Sequence, residues 1–203
     1  MNLSERNALL EVVKGMQNPR RFEHTLGVEK EAVALGRIFM PDKLYELALA
    51  GLLHDITKDF STEKQFELCE EYGITVDKSI SPKLLHAITG CEFARRKFGA
   101  DLITDEIYDG IRYHTTGREN MTLFEQLIYL ADYIEENRTF QDCLFLRSHF
   151  YINIKHCDKF EEKQEILRKS MVLSFNLTLR TLISEGKSID FDTIKARNYF
   201  LEL

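Results

Sequence analysis

The spacing of apolar residues constrains this chain most, because it follows the α-helical period over nearly all of the 203 residues. In the first segment, Ala8, Leu9, Val12, Val13 and Met16 recur at intervals of three and four, which is typical of one buried helix face. Only three prolines and ten glycines interrupt the chain, and no long apolar–polar alternation indicates a strand. The sequence therefore predicts an all-α fold.

Residues that favour helix starts and ends divide the pattern into about eight or nine helices. Helix starts are indicated at Asn18-Pro19, Asp42, Ser61-Thr62, Ser81-Pro82, Thr104 and Thr122, and a long helix is expected over about residues 158–185, with a short one near Asp192. We expect a single domain over residues 1–203. Its site residues fall within 20–138, and residues 143–203 are expected to form a helical scaffold without a site.

Composition and charge disfavour several classes of protein. A formal net charge of −6 and a pI of about 5.6 argue against a long basic surface, so no nucleic acid polymer is expected as a partner. No stretch of about 18 apolar residues is present, and the first residues lack the features of a signal peptide, so no membrane partner is expected. Four scattered cysteines without a CxxC pair indicate reduced thiols, hence a cytoplasmic protein.

Histidines and aspartates lie in unusually apolar surroundings. His54 and Asp55 end an aliphatic run, and Asp132 lies inside an apolar helix with no lysine or arginine in the turn before it. A buried carboxylate without a positive neighbour is costly, and a metal cation would compensate that cost. Helical bundles build metal sites from inward-facing side chains on different helices. The candidate ligands are His24, His54, Asp55, His86, His114 and Asp132.

Each of these residues also has an ordinary explanation when it is considered alone. His24 or His86 could be a core histidine bonded to a carbonyl group. Asp55 could cap the following segment, and Asp132 could pair with a distant arginine. His149 and the sixth histidine, His156, are not part of this pattern and are not interpreted as ligands. Only the joint pattern on an all-helical chain favours metal binding.

The motifs around these ligands resemble those of the HD-domain metal phosphohydrolases, and more closely those of the bacterial YqeK family. The similar blocks are Arg21-Phe22-Glu23-His24-Thr25, His54-Asp55-Ile56-Thr57-Lys58, Ile111 to Gly117, and Tyr129 to Glu135 followed by Asn137-Arg138. The resemblance covers nearly the whole chain. Departures are mild: Phe22 stands where tyrosine is common, Thr57 where alanine is common and Glu136 where proline is common.

The resemblance implies an HD-type helical bundle and the symmetric hydrolysis of diadenosine tetraphosphate to two ADP through a hydroxide held by two metals. It assigns His24, His54, Asp55 and Asp132 to the first metal, and His86, His114 and a bridging Asp55 to the second. The two ions would be divalent or mixed-valent transition metals. Imidazole-rich ligation suits iron, manganese, cobalt or zinc better than magnesium, and the resemblance favours iron.

Residues near the ligands are expected to contact the phosphates and the nucleoside. Lys58, three residues after Asp55, is expected to act in catalysis with Asp55 by neutralising charge on the leaving phosphate. The substrate-binding set is completed by Arg21, His114, Thr115, Thr116, Gly117, Arg118, Tyr133, Asn137 and Arg138. One ADP half would be held by these residues, while the other half extends into solvent.

Two other functions stay open on the sequence. The chain could be an HD phosphohydrolase acting on other nucleotides, although the absence of a GYP triplet near His54 disfavours a cyclic di-GMP phosphodiesterase. It could also be a sensing module that binds metal and nucleotide without turnover, against which the complete ligand set argues. The expected partner is a small-molecule nucleotide, with ADP as the product, and a homodimer is left open.

Overall fold

The computed structural model describes residues 3–77 and 80–203, with side chains from Arg6 onward, and all regular secondary structure in these residues is helical. The prediction of an all-α fold is confirmed. Ten α-helices follow one another: α1 Leu3–Met16, α2 Pro19–Phe39, α3 Leu44–Leu53, α4 Thr62–Tyr72, α5 Leu85–Phe98, α6 Asp105–Tyr113, α7 Leu123–Ile134, α8 Gln141–Ile154, α9 Phe160–Ser184 and α10 Phe191–Glu202. Short 3₁₀ turns, Pro41–Lys43 and Pro82–Leu84, precede α3 and α5.

Most predicted helix starts coincide with side-chain caps. The Asn18 side chain accepts a hydrogen bond of 3.0 Å from the Arg21 amide, and Ser61 accepts one of 3.2 Å from the Lys64 amide. Thr122 and Glu125 form the expected capping box at the start of α7.

Three details of the helix prediction are wrong. Ser81 makes no side-chain cap, and α5 begins only at Leu85, after the Pro82–Leu84 turn. Asp42 lies within the Pro41–Lys43 turn and makes no cap, and α3 begins two residues later, at Leu44. Helix α8 was not predicted because its first residue follows Phe140, whose side chain cannot cap, and its sequence carries several aromatic and β-branched residues. The described residues therefore contain ten α-helices, one more than the larger of the two predicted numbers.

Helix α3 lies at the centre of the bundle and brings its carboxyl end to the site. It packs along α2 and also contacts α6 and α7. The approach to α2 is close because Gly51 has no side chain: a Cβ there would lie 2.9 Å from the Glu29 Cα. Since α3 is buried among these helices, the residues that follow Leu53 emerge inside the protein rather than on its surface.

The carboxy-terminal helices pack against the same core. The Phe175 ring of α9 lies 4.8 Å from Tyr129 of α7 and 6.1 Å from Phe200 of α10, between ring centroids. In α8, the Phe150 ring contacts Phe39 of α2 at 6.4 Å. Among the helices of the described residues, none combines the length and apolar character that a membrane span requires.

Candidate active site

Six side chains with metal-binding atoms converge from five helices onto one buried point. His24 lies on α2, the next two residues directly follow α3, and His86 lies in the first turn of α5. His114 directly follows α6, and Asp132 lies in the last turn of α7. All except the partly exposed Asp132 are buried. The structure thus brings together all of the predicted ligands: His24, His54, Asp55, His86, His114 and Asp132.

The first group of donor atoms surrounds His24. Its Nε2 lies 2.9 Å from Oδ1 of Asp132 and 3.4 Å from Nε2 of His54. Asp55 completes this group, because its Oδ2 lies 3.5 Å from the His54 Nε2 and 3.8 Å from the His24 Nε2. Three imidazole or carboxylate side chains, His24, His54 and Asp132, offer atoms that all lie within 4.8 Å of one another, a spacing at which one ion can be held.

The second group lies on the other side of the Asp55 carboxylate. The Nε2 atoms of His86 and His114 are 3.1 Å apart. Both face Oδ1 of Asp55, at 3.1 Å from His86 and 3.5 Å from His114. The two oxygens of Asp55 therefore point to different groups of imidazoles, which is the geometry of a bridging carboxylate.

Each of the four imidazoles is oriented by a hydrogen bond at its Nδ1. His54, His86 and His114 each donate, over 2.7 Å, to the carbonyl oxygen three residues earlier: Gly51, Lys83 and Ile111 respectively. The His24 Nδ1 is bonded instead to the Glu135 carboxylate at 3.0 Å. A donating Nδ1 leaves Nε2 with its lone pair free, and in all four rings Nε2 faces the cluster.

Electrostatics favour the protonation states that metal binding needs. Burial lowers the pKa of His54, and burial likewise lowers the pKa of His86 to about 4, so both rings are neutral at pH 7. Burial alone would raise the pKa values of Asp55 and Asp132, but the neighbouring imidazoles and Arg138 hold both well below the usual range. For His24, burial lowers the pKa, but its bonds to Asp132 and Glu135 outweigh burial and raise it.

The donor set fits a divalent metal ion. Oδ1 of Asp55 is buried and accepts no hydrogen bond from the described residues, so a carboxylate oxygen that faces two imidazole nitrogens is left unsatisfied. Neutral imidazoles and ionised carboxylates are the forms that ligate transition metals. Because the histidines are already oriented through Nδ1, a cation placed among the Nε2 and carboxylate atoms would satisfy the buried charge.

Glu135 belongs to the site, although no role was predicted for it. Its carboxylate is buried, bonding the His24 Nδ1 through Oε1 and accepting a hydrogen bond of 2.6 Å from the Asn137 amide through Oε2. Glu135 directly follows α7, three residues after Asp132, so both acids face α2. Glu135 ends the block Tyr129 to Glu135 that resembles the YqeK family, but nothing in the sequence indicates its partner on α2.

Three cations lie beside the donor atoms. Arg21 donates to Oδ2 of Asp55 over 2.7 Å, and Arg138 donates to the backbone oxygen and Oδ1 of Asp132 over 2.9 and 2.5 Å. The Nζ of Lys58 lies 3.1 and 3.2 Å from the ring nitrogens of His86. Burial lowers the pKa of Lys58 from its ordinary value. The site thus combines a carboxylate and imidazole centre with a rim of positive charge.

A cavity of about 630 Å³, the inner cavity, opens onto these groups. Among its walls are six of the predicted site residues outside the first donor group: Arg21, Lys58, His114, Thr115, Tyr133 and Arg138. The hydroxyl oxygen of Thr115 lies 2.9 Å from the His114 Nε2 and 3.3 Å from the His86 Nε2, beside the second donor group. These residues are therefore placed where a substrate phosphate could meet the donor centre.

Four predicted substrate contacts are not brought to the inner cavity: Asn137, whose backbone amide bonds Glu135, and three residues that follow His114. Arg118 is held by Glu125 over two bonds of 2.7 Å and by Asp109 over 3.1 Å. Thr116 is buried and donates to the Gly117 carbonyl over 2.9 Å. Gly117 has φ of +64° and turns towards the core, where a Cβ would lie 2.7 Å from the Phe175 ring. The turn after His114 therefore acts mainly as a core contact.

The carboxy-terminal helices contribute a wall of the inner cavity. The wall includes Thr178, Thr181 and Leu182 of α9 and Cys143 of α8. The expectation that residues 143–203 contain no part of a site did not include this cavity wall. It arose because these residues carry no conspicuous ligand, whereas a cavity wall is formed by packing that spacing alone does not specify.

Comparison with known proteins agrees with this geometry. The model of the HD domain family matches residues 21–137, more than half of the chain. A protein of Staphylococcus aureus named symmetrical bis(5'-nucleosyl)-tetraphosphatase is 30% identical over 182 residues, covering 89% of this chain and 87% of that protein. One of Halalkalibacterium halodurans with the same name is 29% identical over 197 residues, 97% of each chain.

A solved structure has the same fold over almost the whole length. The crystal structure of a predicted HD superfamily hydrolase of Clostridium acetobutylicum, described as involved in NAD metabolism, superposes with a TM-score of 0.83. It is 31% identical to this chain and the match covers 97% of both chains. Since the family model matches residues 21–137, a range that contains all six donor residues, the chain belongs to the HD domain family.

Proposed function

We propose that this protein is a symmetrical bis(5'-nucleosyl)-tetraphosphatase, which hydrolyses diadenosine tetraphosphate to two ADP. The observation that carries the proposal is the Asp55 carboxylate shared by two groups of imidazoles at the end of a cation-lined cavity. Relatives that match nearly the full length of the chain bear the name of this activity. A centre of this kind acts on phosphate esters and anhydrides rather than on apolar substrates.

We assign one metal ion to each donor group. His24, His54, Asp132 and one oxygen of Asp55 would hold the first ion, and His86, His114 and the other oxygen of Asp55 the second. Ions bound there would polarise the phosphoryl oxygens and lower the pKa of a water ligand to about 7. Resemblance favours iron, and the imidazole-rich set also suits manganese, cobalt or zinc.

The chain's own residues bind and position the phosphates. Lys58, Arg21 and Arg138 surround the centre, and each can neutralise charge that develops on the phosphoryl oxygens. Arg21 and Arg138 are bonded to Asp55 and Asp132, which holds their guanidinium groups at the mouth of the centre. ADP is a good leaving group, so stabilisation of charge matters more than a strong general acid.

One half of the substrate would lie in the inner cavity. Thr115 and Tyr133 offer hydroxyl groups to the phosphate and ribose there, and Thr178 of α9 extends the same wall. A water oxygen then bonds to one inner phosphorus atom, and the oxygen bridge between the two inner phosphates breaks. The bridging oxygen leaves with the second ADP, and the two protons of the water are shared between the products and solvent.

Product analysis tests this proposal. With metal-loaded protein in ¹⁸O-water, a single turnover of diadenosine tetraphosphate should give ADP as the only nucleotide product. One label should appear, on a terminal phosphate of one of the two ADP molecules, because phosphorus is attacked once. ATP together with AMP would mean that a different phosphate lies at the centre. Absence of cleavage, together with rapid hydrolysis of a nucleoside monophosphate, would overturn the proposal in favour of another HD phosphohydrolase.

Metal analysis tests the assignment of two ions. His86→Ala should remove mainly the second ion and most activity, because the second group then keeps only His114 and one Asp55 oxygen. His149→Ala is the matched control, since His149 packs beside Phe145 on α8, away from the centre. We expect about two ions per wild-type chain. A single ion in wild type and an unchanged content in His86→Ala would contradict the assignment.

Location and assembly follow as lesser parts of the proposal. Cys69, Cys91, Cys143 and Cys157 are all free thiols, which fits a reducing compartment, and we propose the cytoplasm. The substrate is a small nucleotide, and no polymer of nucleic acid or membrane lipid is proposed as a partner. A homodimer stays open.

A further inference from the structure

A second cavity, the outer cavity, adjoins the inner one near the donor centre. It has a volume of about 710 Å³, comparable to the inner cavity. Its walls include Arg20 and Glu23 of α2 and the segment Glu135 to Phe140, which joins α7 to α8. His24, a member of the first donor group, opens into it. Members of the donor centre therefore line both cavities.

The two cavities meet at three shared residues. Arg21, Arg138 and Phe140 line both of them. Since Arg21 is bonded to Asp55 and Arg138 to Asp132, this boundary lies directly over the donor atoms. The buried Nε of Arg21 has no hydrogen-bond partner among the described residues, so a donor at this boundary is left available. A chain of phosphates crossing the boundary would pass between two guanidinium groups.

The outer cavity suits an anion, although its wall contains as many carboxylates as arginines, because most of these carboxylates are already paired. Of its three carboxylates, Glu135 is taken by His24 and the Asn137 amide, and Glu136 by Lys30 over 2.7 Å. The exposed Arg20 makes no ion pair within the described part of the chain. Arg20 therefore adds an unpaired positive charge beside the shared Arg21 and Arg138. Glu23 is the one carboxylate of the cavity wall whose negative charge is left to oppose it.

Phe140 provides an apolar surface at the ridge between the cavities. Its ring is 62% exposed, directly before α8, although large aromatic side chains are usually buried. Aromatic rings are common platforms for nucleobases because every base presents a π-face. An exposed ring beside a cluster of guanidinium groups provides the two contacts that a nucleotide needs.

We propose that the outer cavity is the subsite for the second nucleoside of a dinucleoside polyphosphate, with the phosphate chain crossing at Arg21 and Arg138. This inference rests on the proposed function and deepens it. It replaces the expectation from sequence that the second half extends into solvent. The enzyme would then recognise both ends of its substrate and discriminate against nucleotides with a single nucleoside.

The test compares two ligands that share a tetraphosphate chain. One is diadenosine tetraphosphate and the other adenosine 5'-tetraphosphate, each with a methylene group in place of the oxygen between the two inner phosphates, so that neither is cleaved there. Their affinities are measured by titration calorimetry on the full-length, metal-loaded protein. Wild type should bind the two-nucleoside ligand about tenfold more tightly, a difference on the scale of one stacked base.

Blocking variants that fill the outer cavity show whether the difference in affinity between the two ligands arises there. Thr139→Trp and Glu23→Trp each place a large ring in the outer cavity from an exposed position, and one is available should the other fail to fold. Both should remove the tenfold preference while leaving the affinity for adenosine 5'-tetraphosphate within about twofold. Thr181→Trp, on the inner wall, is the matched control and should weaken both ligands equally because both need the inner cavity.

The outcomes separate this inference from the proposed function. A wild-type preference that survives both blocking variants, or no preference at all with tight binding of both ligands, would overturn the outer subsite alone. A wild-type protein that binds neither ligand would overturn the proposed function and the subsite with it. Loss of the preference in the blocked variants alone would support the subsite.

Discussion

His24 and Glu135 are joined by a hydrogen bond of 3.0 Å between Nδ1 and Oε1, although they are 111 residues apart in the chain. This bond turns the Nε2 of His24 towards Asp132, which lies 2.9 Å away. At the other three histidines of the centre, the Nδ1 partner is instead a carbonyl oxygen three residues earlier. A carboxylate partner fixes the ring and makes the imidazole a better metal ligand.

We therefore expect Glu135→Ala to lower the affinity for the first metal by about 10- to 100-fold. Glu135→Gln should lose less, since an amide oxygen can still accept from Nδ1 although it carries no charge. Affinity is measured by competition with a chelator. Glu136→Ala is the matched control, because the neighbouring Glu136 is exposed and, among the described residues, hydrogen-bonds to Lys30 alone. Equal affinities in Glu135→Ala and Glu136→Ala would contradict a role for the bond.

Lys58 should act on turnover rather than on metal content. Its Nζ lies at the inner cavity, 3.1 Å from the His86 Nε2, where it can meet a phosphate oxygen. Lys58→Ala should therefore lower kcat by roughly 10²-fold or more, the scale of losing one electrostatic stabiliser. Metal analysis of the same sample should give the wild-type content, because a lysine ammonium does not ligate the ions.

The control for this variant is Lys64→Ala. Lys64 is exposed on α4 and pairs with Glu67, three residues along the same helix. Its removal should leave both kcat and metal content unchanged. Near-normal turnover in Lys58→Ala would show that this ammonium group does not contact the phosphates.

Much of the fold could be predicted because its signals are local. Asn18, Ser61, Thr104 and Thr122 each cap a helix through the amide three residues later, so a short stretch of sequence is sufficient. Helix α8 has no such cap, and its stability comes from burying Phe150 and neighbouring residues against the core. That contact depends on the tertiary structure, and so it was missed.

The site residues likewise fall into those that the sequence predicts and those that it does not. Histidines and aspartates in apolar surroundings can be recognised from the sequence, because burying an ionisable side chain is costly unless a partner compensates for it. Glu135 and the α9 wall are not conspicuous, since their roles arise from residues more than 40 positions away or from helix packing. Arg118 has the right residue type and lies near the right motif, but Glu125 and Asp109 hold it away from the cavity.

The pair Tyr151 and Glu31 predicts a pH-dependent contribution to stability away from the centre. Burial raises the pKa of Glu31, and the hydrogen bond that the Tyr151 hydroxyl donates to its carboxylate acts in the opposite direction. Because the pKa in the folded state exceeds that in the unfolded state, the contribution of Glu31 to stability is present at low pH and is lost as pH rises. Tyr151→Phe should raise the pKa of Glu31 further, and so increase the stability that is lost as pH rises.

Tyr151→Phe should therefore lower the free energy of unfolding by about 1.5–3 kcal/mol at pH 7, the range for a bond to a charged group. The difference from wild type should shrink as pH falls through the Glu31 pKa, because a protonated carboxyl depends less on the donor. Urea unfolding across this pH range measures it. Tyr72→Phe is the control: its ring stacks under Arg96, and that contact survives loss of the hydroxyl. A pH-independent difference for Tyr151→Phe would contradict the explanation.

Gly51 sets the distance between the two helices that carry His24 and His54. An added Cβ would lie 2.9 Å from the Cα and 3.1 Å from the amide nitrogen of Glu29, and backbone atoms cannot move aside as a flexible side chain can. Gly51→Ala should therefore lower the free energy of unfolding of metal-free protein by about 1–3 kcal/mol. It should also weaken metal binding, because the Gly51 carbonyl orients the His54 Nδ1 over 2.7 Å.

The same substitution at Gly15 provides the opposite expectation. Gly15 lies within α1 and a Cβ there would meet nothing within 4 Å. Gly15→Ala should stabilise the protein by about 0.5–1 kcal/mol, since alanine loses less backbone entropy in a helix, and should leave metal affinity unchanged. Urea unfolding after removal of metal by a chelator compares the two variants without a contribution from bound ions. If Gly51→Ala were as stable as Gly15→Ala, α2 and α3 would have to separate without cost, and the close approach that brings His54 within 3.4 Å of His24 would not depend on Gly51.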